Sequence, residues 1–431
     1  MIRFPAIICV AILAVLTAGA PQGRGIAAAA EEKPAAPETS AQPKMGAQPK
    51  AEPAGAEAKP AKVEVQSFHL AFLTQEKNPP PPPAIIDVNP TDEGEAGAKL
   101  AIDDNNTTGT FTHQKFELET VTVPLKGDVV AAFKKLVAEG QHFIIVDLPA
   151  ADLLKLADLP EAKDTLLFNA GAREDSLRNQ DCRTNVLHVI PNRAMLADAL
   201  AQYLLVKKWN KWFLVVGDQP GDRLYADAVK RAAKKFGAKI VEERKWEYSP
   251  EKVRRTEAQE IPIFTQNVSY DILVVADESD NIGDQLMYQT WDPRPVAGTQ
   301  GLIPTAWHPT HDKWGATQLQ HRFERLAHRW MTPVDYAAWI AVRSLGEAAL
   351  RTTTTDFAKL RDYMLSPEFG VGAFKGVPVN YRSWDRQLRE PILVAWARTV
   401  VSITPLDQFI HPVTNLDTLG YDKPESTCKL K

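Results

Sequence analysis

The residues best suited to chemistry in this chain are acidic side chains that fall where apolar runs end. Asp147 closes the run His142–Val146, Glu174 and Asp175 follow Thr165–Phe168, and Asp277, Glu278 and Asp280 follow Tyr270–Val275. Carboxylate oxygens in such numbers can hold a hard cation or a cationic molecule. The alternative is loop solvation and helix N-capping, which Asp favours. Asp103-Asp104-Asn105-Asn106 lacks the glycine and distal glutamate of an EF-hand loop and reads as the end of a helix. His308, His311, His321 and His328 are joined by no cysteine, and Pro309 breaks any shared helical face, so no metal site is expected. No Gly-x-Ser-x-Gly elbow, Walker A loop or Gly-x-Gly-x-x-Gly turn is present, and Gly298-Thr299-Gln300-Gly301 is too weak a pattern to use. An enzyme is therefore not expected, and no cofactor is implied.

The elements that must position these residues begin after an unusual N-terminus. Arg3 precedes the apolar run Ala6–Leu16, and small residues follow at Ala18-Gly19-Ala20 and Ala27–Ala30. This is the pattern of a secretory signal over 1–30, and the run is shorter than the roughly 20 residues that span a bilayer. Residues 31–62 are rich in Ala, Pro, Glu, Lys and Gln, with Ala-Gln-Pro-Lys repeated at 41–44 and 47–50. Such a segment has nothing to bury and is expected to be a disordered tether. Cys9 lies inside the apolar run, which leaves Cys182 and Cys428. In an oxidising compartment that pair is expected to form a disulfide, the alternative being two separate buried thiols. A formal net charge of −4 over 431 residues does not favour a nucleic-acid partner, which would require a basic face.

From about residue 66, short β-rich runs alternate with helical ones. Phe68–Leu73, Phe116–Val123, His142–Val146 and Thr165–Phe168 read as strands, with helices over Glu93–Asp103, Val129–Val137 and Ala150–Leu159. The alternation restarts with helix Ala194–Val206, strand Trp212–Val216, helix Leu224–Phe236 closed by Gly237, and strands at Ile240 and Tyr270–Val275. Trp339–Leu350 and Phe357–Met364 are later helices, and no period is clear after about 400. This pattern predicts an α/β fold of two lobes, each a mostly parallel sheet flanked by helices, with a cleft between them. Ligands of open α/β sheets bind beyond the carboxyl ends of the strands. The candidate ligand contacts are therefore Gln75, then Asp147, Pro149 and Ala150, then Asn169, Gly171 and Ala172, then Tyr225, Asp277 and Glu278, with Trp307 as a packing or cleft-lining aromatic.

The order of elements from about 66 to 395 resembles the type I periplasmic binding proteins of ABC transporters, of the leucine/isoleucine/valine-binding kind. The resemblance is carried by Glu95–Asn106, Leu187–Leu204, Ala226–Val241, Phe374–Val379 and Ser383–Arg389. It implies lobe 1 from 63–190 and 305–376, lobe 2 from 191–304 and 377–431, a periplasmic location, a small-molecule ligand and a membrane permease as partner. Asn169–Ala172, the stretch from Cys182 to Leu200, Leu416–Gly420 and Glu425–Cys428 are similar to a branch linked to PQQ-dependent alcohol dehydrogenase systems. That branch implies either a receptor tied to such alcohol oxidation or an accessory scaffold of a periplasmic dehydrogenase. Amino-acid-binding relatives offer hydroxyls and backbone N–H groups to a carboxylate after the third strand. Asp147-Leu148-Pro149-Ala150-Ala151 offers no hydroxyl, and Pro149 has no N–H. The expected ligand is therefore neutral or cationic and not a branched-chain amino acid.

Overall fold

The computed structural model describes residues 65–78, 89–247 and 257–430. The expected signal segment, the 31–62 tether and the proline run 79–83 lie outside the described residues.

Two parallel sheets form the frame. The first contains β1 (Gln66–Gln75), β2 (Gln114–Val123), β3 (Phe143–Asp147), β4 (Leu166–Asn169) and β5 (Val186–His188) in the order β2-β1-β3-β4-β5. Its linking helices are α1 (Glu95–Thr112), α2 (Val129–Ala138) and α3 (Ala150–Ala157). After α4 (Arg193–Val206), the second sheet contains β6 (Lys211–Val216), β7 (Lys239–Lys245), β8 (Ile272–Ala276) and β9 (Val296–Gly298) in the order β7-β6-β8-β9. Its helices are α5 (Pro220–Phe236), α6 (Glu257–Thr265) and α7 (Gly283–Gln289). The chain continues through β10 (Ile303–Thr305), α8 (Ala316–Ala327), α9 (Pro333–Thr352), α10 (Phe357–Met364), β11 (Val371–Gly372), β12 (Pro378–Tyr381), β13 (Leu388–Arg389), β14 (Ile392–Trp396) and β15 (Thr399–Thr404). The expected pair of parallel sheets is present. β3 and β8 are apolar runs buried along their whole length, as strands covered on both faces must be.

The first sheet buries Phe68, Phe72, Ile145 and Phe168 on one face, in a core shared with α1, α8 and α9. Leu73, Ile144 and Leu167 fill the other face with α2 and α3. Trp212, Leu214 and Val274 of the second sheet pack with α4 and α5, while Phe213, Leu273 and Val275 pack with Ile261 and Leu286 of α6 and α7. Core membership also shows where the chain changes lobes. Ala306 and Trp307 belong to the first core, and so do Val379, Tyr381 and Leu388, whereas Ile392 and Val394 belong to the second. The final return therefore falls after β13, about ten residues later than the expected 376/377 boundary. The reason is packing: β12 carries Tyr381 into contact with Ser344 of α9, oxygen to oxygen at 3.1 Å.

One helix end also differs from expectation. α1 does not stop at Asp103–Asn106 but runs to Thr112. These polar residues survive mid-helix because α8 and α9 supply partners: Asp104 pairs with Arg322 and accepts from the Trp339 indole at 3.0 Å, and the Asn105 amide donates to the Val342 carbonyl at 3.0 Å. Gly97 permits this approach, since a Cβ there would lie 1.9 Å from the Asp335 carbonyl. Asp335 itself closes a capping box with Thr332 at the start of α9, binds Arg329 at 2.6 Å and accepts from the Gly94 N–H at 2.7 Å, so one carboxylate organises the first turns of two helices.

The three lobe crossings are tied together by buried side chains. Gln387 donates to the carbonyls of His188 and Ile190, each at 3.2 Å, and accepts from Arg178 at 2.8 Å. Lys375, fully buried, donates to the carbonyls of Ala306 and, at 2.8 Å, Pro391, beside Glu390. The segment after β15 has no regular period yet is held firmly. Asp417 binds Arg382 and Arg389, each at 2.8 Å. Gly420 donates to Asp198 at 2.9 Å, and the same carboxylate binds Arg231 and Lys235 of α5. Cys428 is joined to Cys182, with Cα atoms 5.7 Å apart at a sequence separation of 246, which realises the expected disulfide.

Replacing both cysteines by alanine should cost about 2–5 kcal/mol on the loop-closure account and raise hydrogen exchange over residues 416–428, with secondary structure retained. Urea denaturation and exchange mass spectrometry measure this. Unchanged stability together with unchanged exchange would show that the bridge adds nothing to the tail's other anchors.

Candidate functional site

The carboxyl ends of the strands of both sheets converge on a cavity of about 670 Å³. Lobe 1 contributes the turns after β1, β3 and β4: Gln75 and Lys77, Asp147 to Pro149, and Gly171 to Glu174. Lobe 2 contributes Tyr225 from α5, Asp277 and Glu278 after β8, and Gly298 to Gln300 after β9. Ile190, Pro191, Arg193 and Ile303 to Ala306, at the lobe crossings, form the floor. Of the sequence-predicted contacts, the structure brings together Gln75, Asp147, Pro149, Gly171, Ala172, Tyr225, Asp277 and Glu278. It does not bring Ala150, Asn169 or Trp307 to the wall.

Those three have other positions. Ala150 is the first residue of α3, half-buried behind Pro149. Asn169 is fully buried and builds the turn: its amide donates to the Ala172 carbonyl at 2.8 Å and its carbonyl accepts from the Ala172 N–H at 2.8 Å. Trp307 stacks on Tyr336 in the first core, with centroids 4.8 Å apart, and its indole donates to Gln320 at 2.9 Å. Gln75 borders the cleft, but its amide turns outward to the Pro124 carbonyl at 3.2 Å.

The acidic residues find protein partners. Lys77, two residues beyond β1, reaches Asp147 at 2.7 Å and Glu93 at 3.2 Å. Burial pushes the Asp147 carboxyl above its usual range, and Lys77 pulls against that shift. Burial also opposes the Lys77 ammonium, but the two carboxylates outweigh it and raise its pKa. Asp277 accepts from the N–H groups of Ile282 and Gly283, both at 2.8 Å, and from the Ser279 hydroxyl at 3.1 Å, so it serves the loop that leads into α7. Glu278 is gripped by Arg193 through two nitrogens, at 2.7 and 3.0 Å. Asp175 accepts from the Ala194 N–H at 3.0 Å near the start of α4, and burial raises its pKa to about 6. Asp280 accepts from Gln300 at 3.0 Å. The expectation that Asp147 and Asp277 stand ready for a cation is thus corrected: one carries its own ammonium and the other is consumed by backbone donors.

Several lining residues were not anticipated. Lys77 and Arg173 follow the strand-end rule as closely as Gln75 and Gly171 do, so the signal was present and only the neighbouring positions were taken. Thr299 and Gln300 lie in a stretch set aside as too weak. Arg193 opens α4 at the crossing, and only the fold brings it to Glu278, 85 residues away. Four buried polar atoms on this wall make no hydrogen bond among the described residues: Asp147 Oδ2, which has only its ion pair to Lys77, Glu174 Oε2, Arg193 Nη1 and the Tyr225 hydroxyl. Burial, followed by the charge of Glu278, raises the Tyr225 pKa and keeps the hydroxyl protonated as a donor. No cluster of three or more His, Cys, Asp or Glu suited to a metal occurs among the described residues.

Gly171 is needed where it stands, because a Cβ there would lie 2.2 Å from Asp147 Oδ1. Gly171→Ala should displace Asp147 from Lys77 and cost about 1–3 kcal/mol by overpacking. Gly372→Ala, where a Cβ meets nothing within 4 Å, should stay within about 0.5 kcal/mol. Urea denaturation of the two variants measures the contrast.

Comparison with known proteins agrees with this geometry. A family model described as periplasmic binding protein matches residues 90–253. A branched chain amino acid ABC transporter periplasmic ligand-binding protein from Burkholderia xenovorans LB400 is similar in structure, with 16% identity, coverage of 84% of this chain and 99% of that one, and a TM-score of 0.67. An ABC transporter substrate-binding protein from Sphaerobacter thermophilus matches with 14% identity, coverage of 83% and 100%, and a TM-score of 0.65. A leucine-, isoleucine-, valine-, threonine-, and alanine-binding protein from Brucella ovis, in its closed conformation, matches with 14% identity, coverage of 84% and 99%, and a TM-score of 0.63. No curated protein matches by sequence. With two parallel sheets facing one cleft and a family model matched from α1 to β7, the chain has the two-lobed α/β fold of the type I periplasmic binding proteins.

Proposed function

We propose that the chain is the solute-binding component of an ABC transporter, acting in the periplasm and closing on a small ligand for presentation to a membrane permease. The observation that carries this reading is the cavity between the strand ends of the two lobes, where the Tyr225 hydroxyl and Arg193 Nη1 are buried without hydrogen-bond partners. Buried donors of this kind are costly unless something pairs with them, and a ligand supplies the pair. Among the described residues no helix is long and apolar enough to cross a membrane, which suits a partner that meets the permease rather than forming part of it.

Branched-chain amino acids do not suit this cleft. The turn after β3 has no hydroxyl, Pro149 has no N–H, and Asp147 is already paired with Lys77. Glu278, the obvious partner for an α-ammonium, is already held by Arg193. The link to PQQ-dependent alcohol oxidation rests on two stretches of sequence, 169–200 and 416–428, which meet through Cys182–Cys428 and Asp198–Gly420. That joining favours a shared role for the two stretches. An accessory scaffold of the dehydrogenase is the second reading it leaves open.

Mass spectrometry of the protein purified from its native periplasm should release a bound small molecule on denaturation. Small-angle scattering should show compaction when that molecule is returned to the stripped protein. An empty cleft and no compaction with periplasmic extract would overturn the receptor reading in favour of the scaffold. Calorimetry with leucine, isoleucine and valine should give dissociation constants of about millimolar or weaker, since burying an α-ammonium against an already paired Glu278 costs several kcal/mol and about 1.4 kcal/mol is tenfold.

A further inference from the structure

We infer that the cleft binds a small organic carboxylate that lacks an α-ammonium group, its anionic end held by the Arg173 guanidinium and the Tyr225 hydroxyl. This rests on the reading of the cleft as a ligand site and assigns its chemical class.

The charges on the wall are unequal in what they have left to give. Asp147 has Lys77, Glu278 has Arg193, and Asp277 has the N–H groups of its own loop. Arg173 is different. It lines the cavity half-buried, and its side chain has no ion pair or hydrogen bond among the described residues. Its backbone is held at the lobe crossing, because its carbonyl accepts from the Arg193 N–H at 3.2 Å. Across the cleft, Tyr225 is 2% exposed and its buried hydroxyl has no hydrogen-bond partner among the described residues. An unpaired guanidinium and a buried hydroxyl donor on facing walls ask for an acceptor that carries negative charge. A planar carboxylate matches the fork of the first and accepts from the second.

The neighbouring pair decides what else the ligand can carry. Arg193 Nη1 stands 3.6 Å from Glu174 Oε1, and neither Nη1 nor Glu174 Oε2 makes a hydrogen bond among the described residues. A hydroxyl can donate to one and accept from the other. An ammonium can only donate, and it would compete with Arg193 for both of that residue's carboxylates. The cleft therefore suits a hydroxy acid or plain carboxylic acid better than the corresponding amino acid.

Three probes that share one skeleton test this: 2-hydroxy-4-methylpentanoate, 4-methylpentanoate and leucine, accompanied by 2-hydroxy acids from lactate to mandelate to span size, and by 4-methylpentylamine as the cationic counterpart. With ligand-stripped full-length protein, calorimetry should show the best hydroxy acid binding at least tenfold more tightly than leucine and the amine not binding. Arg173→Gln should weaken that hydroxy acid at least tenfold with an unchanged melting temperature. Arg173→Lys, which keeps the charge but not the fork, should fall between, and Tyr225→Phe should weaken it severalfold. Equal or tighter binding of leucine or the amine, no binding by any carboxylate, or Arg173→Gln binding as the parent does would overturn the inference. If a solute of another class is recovered from the native protein and causes compaction, the receptor reading stands and the anion assignment alone fails. If no solute is recovered and none causes compaction, the receptor reading itself fails.

Discussion

The structure turns on Arg193. It opens α4 at the first crossing from one lobe to the other, grips Glu278 of lobe 2 through two nitrogens, and stands against Glu174 of lobe 1. A planar fork is suited to this task because two parallel bonds fix direction as well as distance. Its backbone N–H also binds the Arg173 carbonyl, so the same residue that joins the lobes fixes the origin of a cleft side chain. The strand ends of the two sheets can face each other across solvent-sized space only because their charges are settled here first. Glu278 and Glu174 without Arg193 would be like charges on opposing walls, and the cleft would tend to spread.

Much of the fold was legible in sequence because a parallel sheet has a strong signature. Phe143–Val146 and Ile272–Val275 are uninterrupted apolar runs, and both became strands buried along their length. Gly237 marked the end of α5 and does adopt the left-handed conformation that a closing residue there requires. What periodicity missed depended on distant partners. Asp103–Asn106 looked like a helix end, yet α8 and α9 pair Asp104 and Asn105 from more than 200 residues away. β5 is three residues long, too short to show a period.

The site followed the same division. The rule that places ligands at strand ends selected most of the wall, since it depends only on where strands stop. It failed for Trp307 and Asn169, whose polar atoms are engaged within lobe 1. It could not state the charge balance. In sequence, Asp147 and Asp277 count as negative charges, whereas in the folded chain Lys77 and a ring of N–H groups have already answered them. Net chemistry at a cleft is the remainder after internal pairing, and pairing is a long-range property.

The tail after β15 crosses this machinery at its pivot. Asp417 is bound to arginines beside the last lobe crossing, Gly420 is locked to α4 and α5 of lobe 2, and Cys428 is covalently joined to a loop of lobe 1. A chain fastened to both lobes near the axis leaves rotation about that axis nearly free and resists translation across it. On the proposed receptor reading, a strap of this kind would channel the swing of the lobes into a narrow arc and leave the unliganded protein fewer arrangements from which closure starts. When the binding-competent form is a larger share of the unliganded population, less of the ligand's intrinsic affinity is consumed in selecting it. If the cleft holds a solute as proposed, the C-terminal strap, far along the chain from every cleft residue, is part of what sets how tightly it does so.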